Sequence, residues 1–224
     1  MIIGEMQSKL AIWSAADPNR RFDRLLRLVA RRDWLQEAAF RTLASSGART
    51  AGIDRIDRRA FEQNFSQHLE EIRVELLGGT YQPQPARRIY IPKSSGKQRP
   101  LGIPTLRDRI VQRAMLMAME PIWESDFHRL SYGFRPERSV HYAIRTVKLQ
   151  LTDSGETKGR WVIEGDLASY FDTVHHRKLM RCVRKRIRDY RFLMLLWRFI
   201  KAGHIPESVK PAPTLSLSSS VSIF

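Results

Sequence analysis

Cysteine is nearly absent. Cys182 stands alone among 224 residues, so no disulfide can form within the chain, and a single thiol fits a reducing compartment. Long apolar runs are missing as well. None approaches the roughly 18 residues that a membrane-crossing helix needs. The opening MIIGEMQSKL carries an acidic Glu5 and no extended apolar core, the wrong composition for a secretory leader. Together these absences set the expectation of a soluble, cytoplasmic protein with no membrane partner. Acidic residues are also scarce: 23 Asp+Glu face 39 Lys+Arg, giving a net charge of +16 and a pI near 10.7. A chain this basic is expected to meet a polyanion, nucleic acid before an anionic membrane surface. Charge alone does not imply catalysis, because ribosomal-type binding proteins share it. The 42% hydrophobic content suffices for one medium domain or two small ones.

Helical spacing dominates the first third. Apolar residues recur at helical intervals over Gln7–Ala15 and again over Arg20–Phe40, where Phe22, Leu25, Leu26 and Val29 mark the buried side. Arg21, Arg24, Arg27, Arg31 and Arg32 cluster among them with few acidic partners. Such a run is either a solvated face or a phosphate contact. SSGARTAG, Ser45–Gly52, is a small-residue loop. A further helix is predicted over Ile53–Leu77 from Phe61, Phe65, Leu69, Ile72 and Leu76, ended by Gly78 and Gly79 in a left-handed cap. Tyr81–Pro85 carries two prolines and reads as an extended connector.

The sequence RRIYIPKSSGKQRPLGIPT, Arg87–Thr105, alternates as two short strands about a Ser-Ser-Gly turn. Lys93, Lys97 and Arg99 near its tip present cations to phosphate. Thr105 with Asp108 starts a helix in capping-box fashion, with Ile110, Val111, Ala114, Met117 and Ala118 as its buried stripe and Pro121 near its end. SYGFRP, Ser131–Pro136, is a compact turn. Ser139–Leu151 returns to helix, with Val140, Ala143, Ile144 and Val147 on one face. The stretch RWVIEGDLASYFDTVHH, Arg160–His176, opens with period-2 alternation ending at Asp166 and then turns toward a helix. A carboxylate at a strand's end can hold a hard divalent cation, although such a residue is more often a turn or cap residue. His175 and His176 point to different faces with no third ligand near and read as structural. Leu179, Val183 and Ile187 mark the buried side of the next helix, opposite Arg181, Arg184, Lys185 and Arg188, and Cys182 reads as a small core residue. Phe192–Ile200 is a more apolar helix closed by Gly203.

Asp-Leu-Ala-Ser-Tyr-Phe-Asp followed by Val-His-His resembles motif A of reverse transcriptases, in the form found in group II intron-encoded proteins. The IPK hairpin, the IPT helix, SYGFRP, motif A and the helix ending in KAG occur in that family's order, and the resemblance runs from about Gln7 to His204. It implies an α+β fold: right-hand polymerase fingers and partial palm preceded by a helical N-terminal extension. The corresponding segments are a basic extension and start of fingers over 1–85, fingers and early palm over 86–158, and the motif A strand with following helices over 159–205. It also implies RNA-directed DNA polymerase activity with maturase function. In that reading Asp166 is the catalytic carboxylate and, with the Leu167 carbonyl, a ligand of Mg2+ in a two-metal site. Lys93 and Arg99 hold the dNTP triphosphate, and Phe171 is the gate beneath its sugar. Arg21, Arg24, Arg27, Arg31, Arg32, Tyr132 and Arg135 contact nucleic acid, the partners being an RNA template or group II intron RNA and a DNA primer.

The pattern changes past Ala202-Gly203. The family's PQGG segment and its Tyr-Ala-Asp-Asp hairpin do not occur, no adjacent Asp pair exists in the chain, and 206–224 is a Pro/Ser-rich tail. The sequence therefore carries the expectation of a chain broken within the palm and inactive as a polymerase. The alternative is an RNA-binding fragment without catalysis.

Overall fold

The computed structural model describes residues 3–92, 98–152, 163–167 and 170–206. Helix α6, Leu106–Glu124, is the post on which the helices of the N-terminal part lean. Thr105 begins it as expected: its hydroxyl accepts from the Asp108 amide at 3.1 Å, satisfying a donor that a helix start otherwise leaves unpaired. Ile110, Val111, Ala114, Met115, Met117, Ala118 and Ile122 are all buried, more than one stripe, because partners pack on several sides. Pro121 lies inside the helix and cannot donate to the carbonyl four residues back. That carbonyl, of Met117, is taken instead by the Gln7 side-chain amide at 3.0 Å. Ser14 Oγ donates to the Ile122 carbonyl at 2.6 Å. Both donors lie on α1, Ile3–Ala16. From another side the indole of Trp34 donates to the Ala114 carbonyl at 2.9 Å.

Asp108 is also buried. Its carboxylate accepts from Tyr81 Oη at 2.8 Å, the Gln84 amide at 3.1 Å and Thr105 Oγ1 at 2.7 Å. Burial pushes this carboxyl above the usual range while the three donors pull it down. The extended connector thus meets the start of α6 through one acid. The loop before it approaches just as closely: a Cβ on Gly52 would sit 2.6 Å from the Thr105 Cα, so a side chain there would collide with backbone.

Two predicted helices are divided. Arg20–Phe40 becomes α2, Leu25–Val29, and α3, Arg32–Leu43, with Arg24 left-handed at φ 58° and Arg31 extended at φ −69°, ψ 144°. Tertiary hydrogen bonds outweigh local propensity here. Phe22 forms a parallel bridge with Ile187, its amide donating to the Arg186 carbonyl at 2.7 Å while the Arg188 amide donates to the Phe22 carbonyl at 2.9 Å. Ile53–Leu77 likewise becomes α4, Arg58–Gln63, and α5, Phe65–Gly78, broken at Asn64 with φ −122°, ψ 34°. Asp57 caps α4 through the Ala60 amide at 2.9 Å. Phe61, Leu69, Ile72 and Leu76 are buried, and Gly79 closes α5 at φ 75°, the cap the glycine pair predicts.

Strands β1, Ala86–Pro92, and β2, Gln98–Ile103, form the antiparallel hairpin; its Ser-Ser-Gly turn lies outside the described residues. A third strand the sequence does not announce, β3, His204–Pro206, pairs with β1 in parallel, giving the order β2-β1-β3. The product is a helix-rich α+β fold with one small sheet among the described residues.

The motif A strand is a correction. Arg160–Val162 lie outside the described residues, and 163–167 are irregular and exposed, Ile163 at 95%. A strand needs a ladder partner, and the sheet among the described residues is occupied by β1–β3. The helix after SYGFRP is present as α7, Val140–Thr152, but Val140, Ile144 and Val147 face solvent. Motif A ends in a four-residue helix, α8, Tyr170–Thr173. Then follow α9, His176–Arg186, and α10, Tyr190–Lys201.

Between α9 and α10, buried Asp189 caps two helix starts, accepting from the Leu26 amide of α2 at 2.8 Å and the Phe192 amide of α10 at 3.1 Å. Replacing Asp189 by Ala removes both caps and strands a buried donor, so a loss of about 2–4 kcal/mol is expected. Urea unfolding of the two proteins measures it; a difference below about 0.5 kcal/mol would show that the double cap does not hold these elements together.

Candidate nucleic-acid interface and nucleotide site

The hairpin carries Arg99 on β2, opposite Ile91 and exposed. Lys93 lies outside the described residues. Behind Arg99 on the same ribbon, Arg88 contacts the His204 ring and lies 5.7 Å over the Tyr90 ring, so β1 spends that cation on packing while Arg99 is left to solvent.

Asp166 and Leu167 are exposed. Among the described residues no hydrogen bond or ion pair engages the Asp166 carboxylate. Phe171 is exposed on α8, its ring edge-on to Tyr170 at 5.4 Å and 70°. No hydrogen bond or ring contact among the described residues joins this segment to the hairpin. Asp166, Leu167 and Phe171 are neighbours in sequence.

The donor set does not fit a complete two-ion centre. No group of three His, Cys, Asp or Glu side chains converges among the described residues, and two divalent cations need shared ligands from more than one carboxylate. The histidines are structural, as their spacing suggests. His175 Nδ1 accepts from the Lys178 amide at 3.4 Å at the start of α9, and His176 meets Trp197 edge-on at 6.5 Å, where burial and then Lys201 hold its pKa below the ordinary value. Cys182 is exposed rather than in the core, because α9 buries Met180 and Val183 instead.

The N-terminal arginines divide into two groups. Arg21, Arg24 and Arg27 are exposed, and their guanidinium groups meet no carboxylate among the described residues, although the Arg24 backbone amide donates to Asp23 Oδ1 at 2.8 Å. Arg31 pairs with Asp33 at 2.6 Å and Arg32 with Glu70 at 3.1 Å. The Asp33 hydrogen bond raises the Arg31 pKa, and the same bond lowers that of Asp33.

In the SYGFRP turn the cation is committed inward. The Arg135 side chain is 7% exposed and pairs with Glu124 at 2.6 Å. It also donates to the carbonyls of His128 at 3.0 Å and Ser131 at 2.8 Å and lies 5.0 Å over the Phe127 ring. Its guanidinium edges are taken up by the turn. Tyr132 is similarly engaged: its hydroxyl bonds Thr146 Oγ1 at 2.6 Å and its ring lies under Arg138 at 5.3 Å.

The chain belongs to the reverse transcriptase (RNA-dependent DNA polymerase) family, whose model matches residues 91–212, more than half of its length. Among individual relatives, Protein YkfC of Escherichia coli (strain K12) is 70% identical over 205 residues, covering 92% of this chain and 54% of that protein. The group II intron-encoded protein LtrA of Lactococcus lactis subsp. cremoris is 39% identical over 186 residues, 82% of this chain and 30% of that one. Nuclear intron maturase 1, mitochondrial, of Arabidopsis thaliana is 34% identical over 98 residues, 44% of this chain and 13% of that one. The chain thus spans about half the length of the E. coli relative and under a third of the Lactococcus one. No helix among the described residues is long and apolar enough to cross a membrane.

Arg135→Ala is expected to cost about 2–4 kcal/mol, because it strands Glu124 and two carbonyls. Any affinity for RNA is expected to stay within about threefold, since the guanidinium is already engaged by protein groups. Thermal unfolding and an RNA-binding titration on the same variant check both, and a large affinity loss with unchanged stability would return Arg135 to the interface.

Proposed function

We propose that this chain is the fingers and opening palm portion of a group II intron-type RNA-directed DNA polymerase and maturase. The observation that carries the reading is the family match over residues 91–212, which takes in the hairpin from Ile91 onward, the SYGFRP turn and Asp166. In this reading 1–85 is the helical basic extension and start of the fingers, 86–158 the fingers and early palm, and 159–205 the motif A segment of the palm with the helices that follow.

Within it, Arg99 and Lys93 neutralise the triphosphate of an incoming dNTP, as paired cations do for a leaving pyrophosphate. Phe171 stacks beneath the sugar and excludes a 2′-hydroxyl. Asp166, with the Leu167 carbonyl, contributes one part of a magnesium site whose remaining carboxylates must come from elsewhere. A magnesium site completed in that way would supply activation of a primer 3′-hydroxyl and charge neutralisation at the leaving group; the donors present among the described residues do not complete it. The free Arg21, Arg24 and Arg27 hold intron or template RNA by its backbone.

A second reading, RNA binding without catalysis, is favoured by the solitary carboxylate. The two separate on one set of proteins. With magnesium, dNTPs and a DNA primer on an RNA template, the 224-residue chain is expected to extend no more primer than Asp166→Ala does; extension that Asp166→Ala abolishes would make the chain a polymerase as it stands. In a titration against a structured group II intron RNA, Asp166→Ala is expected to bind like the parent. The combined Arg21→Gln, Arg24→Gln, Arg27→Gln variant is expected to bind at least about tenfold more weakly, with a log affinity against log salt slope shallower by roughly two to three. Unchanged binding by that variant would remove the N-terminal arginines from the interface.

A further inference from the structure

We propose that the exposed face of α9 and the Arg21–Arg27 segment form one continuous phosphate-binding surface for double-helical RNA. This rests on the reading of the N-terminal arginines as an RNA contact and extends it to an element about 160 residues further along the chain.

Helix α9 has no acidic residue, and none occurs anywhere from Thr173 to Arg188. Arg177, Arg181, Arg184 and Lys185 recur at intervals of three and four and are exposed, while Met180 and Val183 are buried behind them. The cations therefore share one face. None has a carboxylate partner among the described residues. Arg186, the cation on the inner side, is accounted for separately: it is buried, contacts the Pro18 carbonyl and Ser14 Oγ, and pairs with Asp126 at 3.2 Å. A stripe of unpaired like charges repels itself, and a polyanion relieves that repulsion.

The Phe22–Ile187 bridge joins this face to the N-terminal cluster, holding the two backbones at strand spacing, roughly 4.8 Å. Phe22 and Ile187 turn inward and are buried, which leaves Arg21 and Arg188 on the outside on either side of the bridge. Arg188 pairs with Asp23 at 3.2 Å, neutralising the acid at the junction, so the positive surface runs from Arg27 across it onto α9.

The same features select the ligand. No Phe, Tyr or Trp lies between Thr173 and Arg188, Phe22 is buried and the exposed Tyr190 follows the junction on α10, so α9 itself offers no platform for stacking unpaired bases. It recognises backbone, as proteins do on double-helical RNA. A basic amphipathic helix also suits an anionic membrane, but that mode needs a free apolar face, and α9 packs its apolar face against the protein.

The test is a fluorescence titration of the full chain with an RNA duplex of about two turns, repeated over a range of salt. Combined Arg181→Gln, Arg184→Gln, Lys185→Gln is expected to weaken binding at least about tenfold at physiological salt and to make the salt slope shallower by about two to three. Arg181→Lys with Arg184→Lys keeps the charge and is expected to bind within about threefold of the parent. Loss of binding in that charge-preserving pair would mean a structural role and overturn the proposal. If the α9 Gln variant binds like the parent while Arg21→Gln, Arg24→Gln, Arg27→Gln does not, the N-terminal reading survives and the continuous surface fails. If both Gln variants bind like the parent, the reading beneath it fails too. Tighter binding to phosphatidylserine vesicles than to the duplex, lost in the α9 variant, would overturn it in favour of a membrane.

Discussion

The structure depends on a junction between residues that are far apart in sequence. Asp189 supplies a carboxylate oxygen to the first turn of α2 and another to the first turn of α10. Three residues earlier, Arg186 fastens the end of α1 and the loop after it to the end of α6. Phe22 lies between them, bridged to Ile187. Buried charges of this kind are costly unless their lone pairs and protons find partners. The Arg186 Nε faces Asp126 without a hydrogen bond, but most are met by backbone groups at or near helix ends. Such groups carry partial charge and have no partner of their own within the helix. The junction therefore answers two demands at once, satisfying helix termini and fixing where the N-terminal arginines stand.

Much of this architecture is legible in the residues. The Thr105 cap, the Gly79 cap, the hairpin and the buried stripes of α5, α6 and α10 follow from local patterns, which act over one or two turns. The sequence does not show where a continuous pattern breaks. Phe22, Leu25, Leu26 and Val29 satisfy a helical period, yet Phe22 is in a bridge because Ile187 offers hydrogen bonds that spacing cannot reveal. Asn64 breaks a second helix for which Phe61 and Phe65 give no warning. β3 is three residues long and is strand only because β1 is beside it.

The candidate site shows the same division. Exposure of Arg99, Asp166 and Phe171 agrees with residue types that serve a ligand rather than a core. Arg135 differs: the turn of aromatics by itself is compatible with ordinary packing and only the family resemblance implies a contact, while Glu124, eleven positions away and on α6, takes its guanidinium. Of the five N-terminal arginines, Arg31 and Arg32 pair with carboxylates and the side chains of the other three have none among the described residues. Exposed pairs of this sort add little to stability, at most about 1 kcal/mol each, so they subdue local charge more than they anchor the fold.

Synthesis from the N-terminus gives the Asp189 junction a temporal consequence. At roughly 5–20 residues per second, Arg21 and Arg24 leave the ribosome many seconds before the Asp189 carboxylate that caps the helix beside them. During that interval the segment has neither its bridge nor its cap, and the closing contact spans 163 positions, a loop whose closure entropy must be overcome late. The face that carries Arg21 and Arg24 is thus among the last features to take shape, and until then the nascent segment displays its cations without a fixed arrangement.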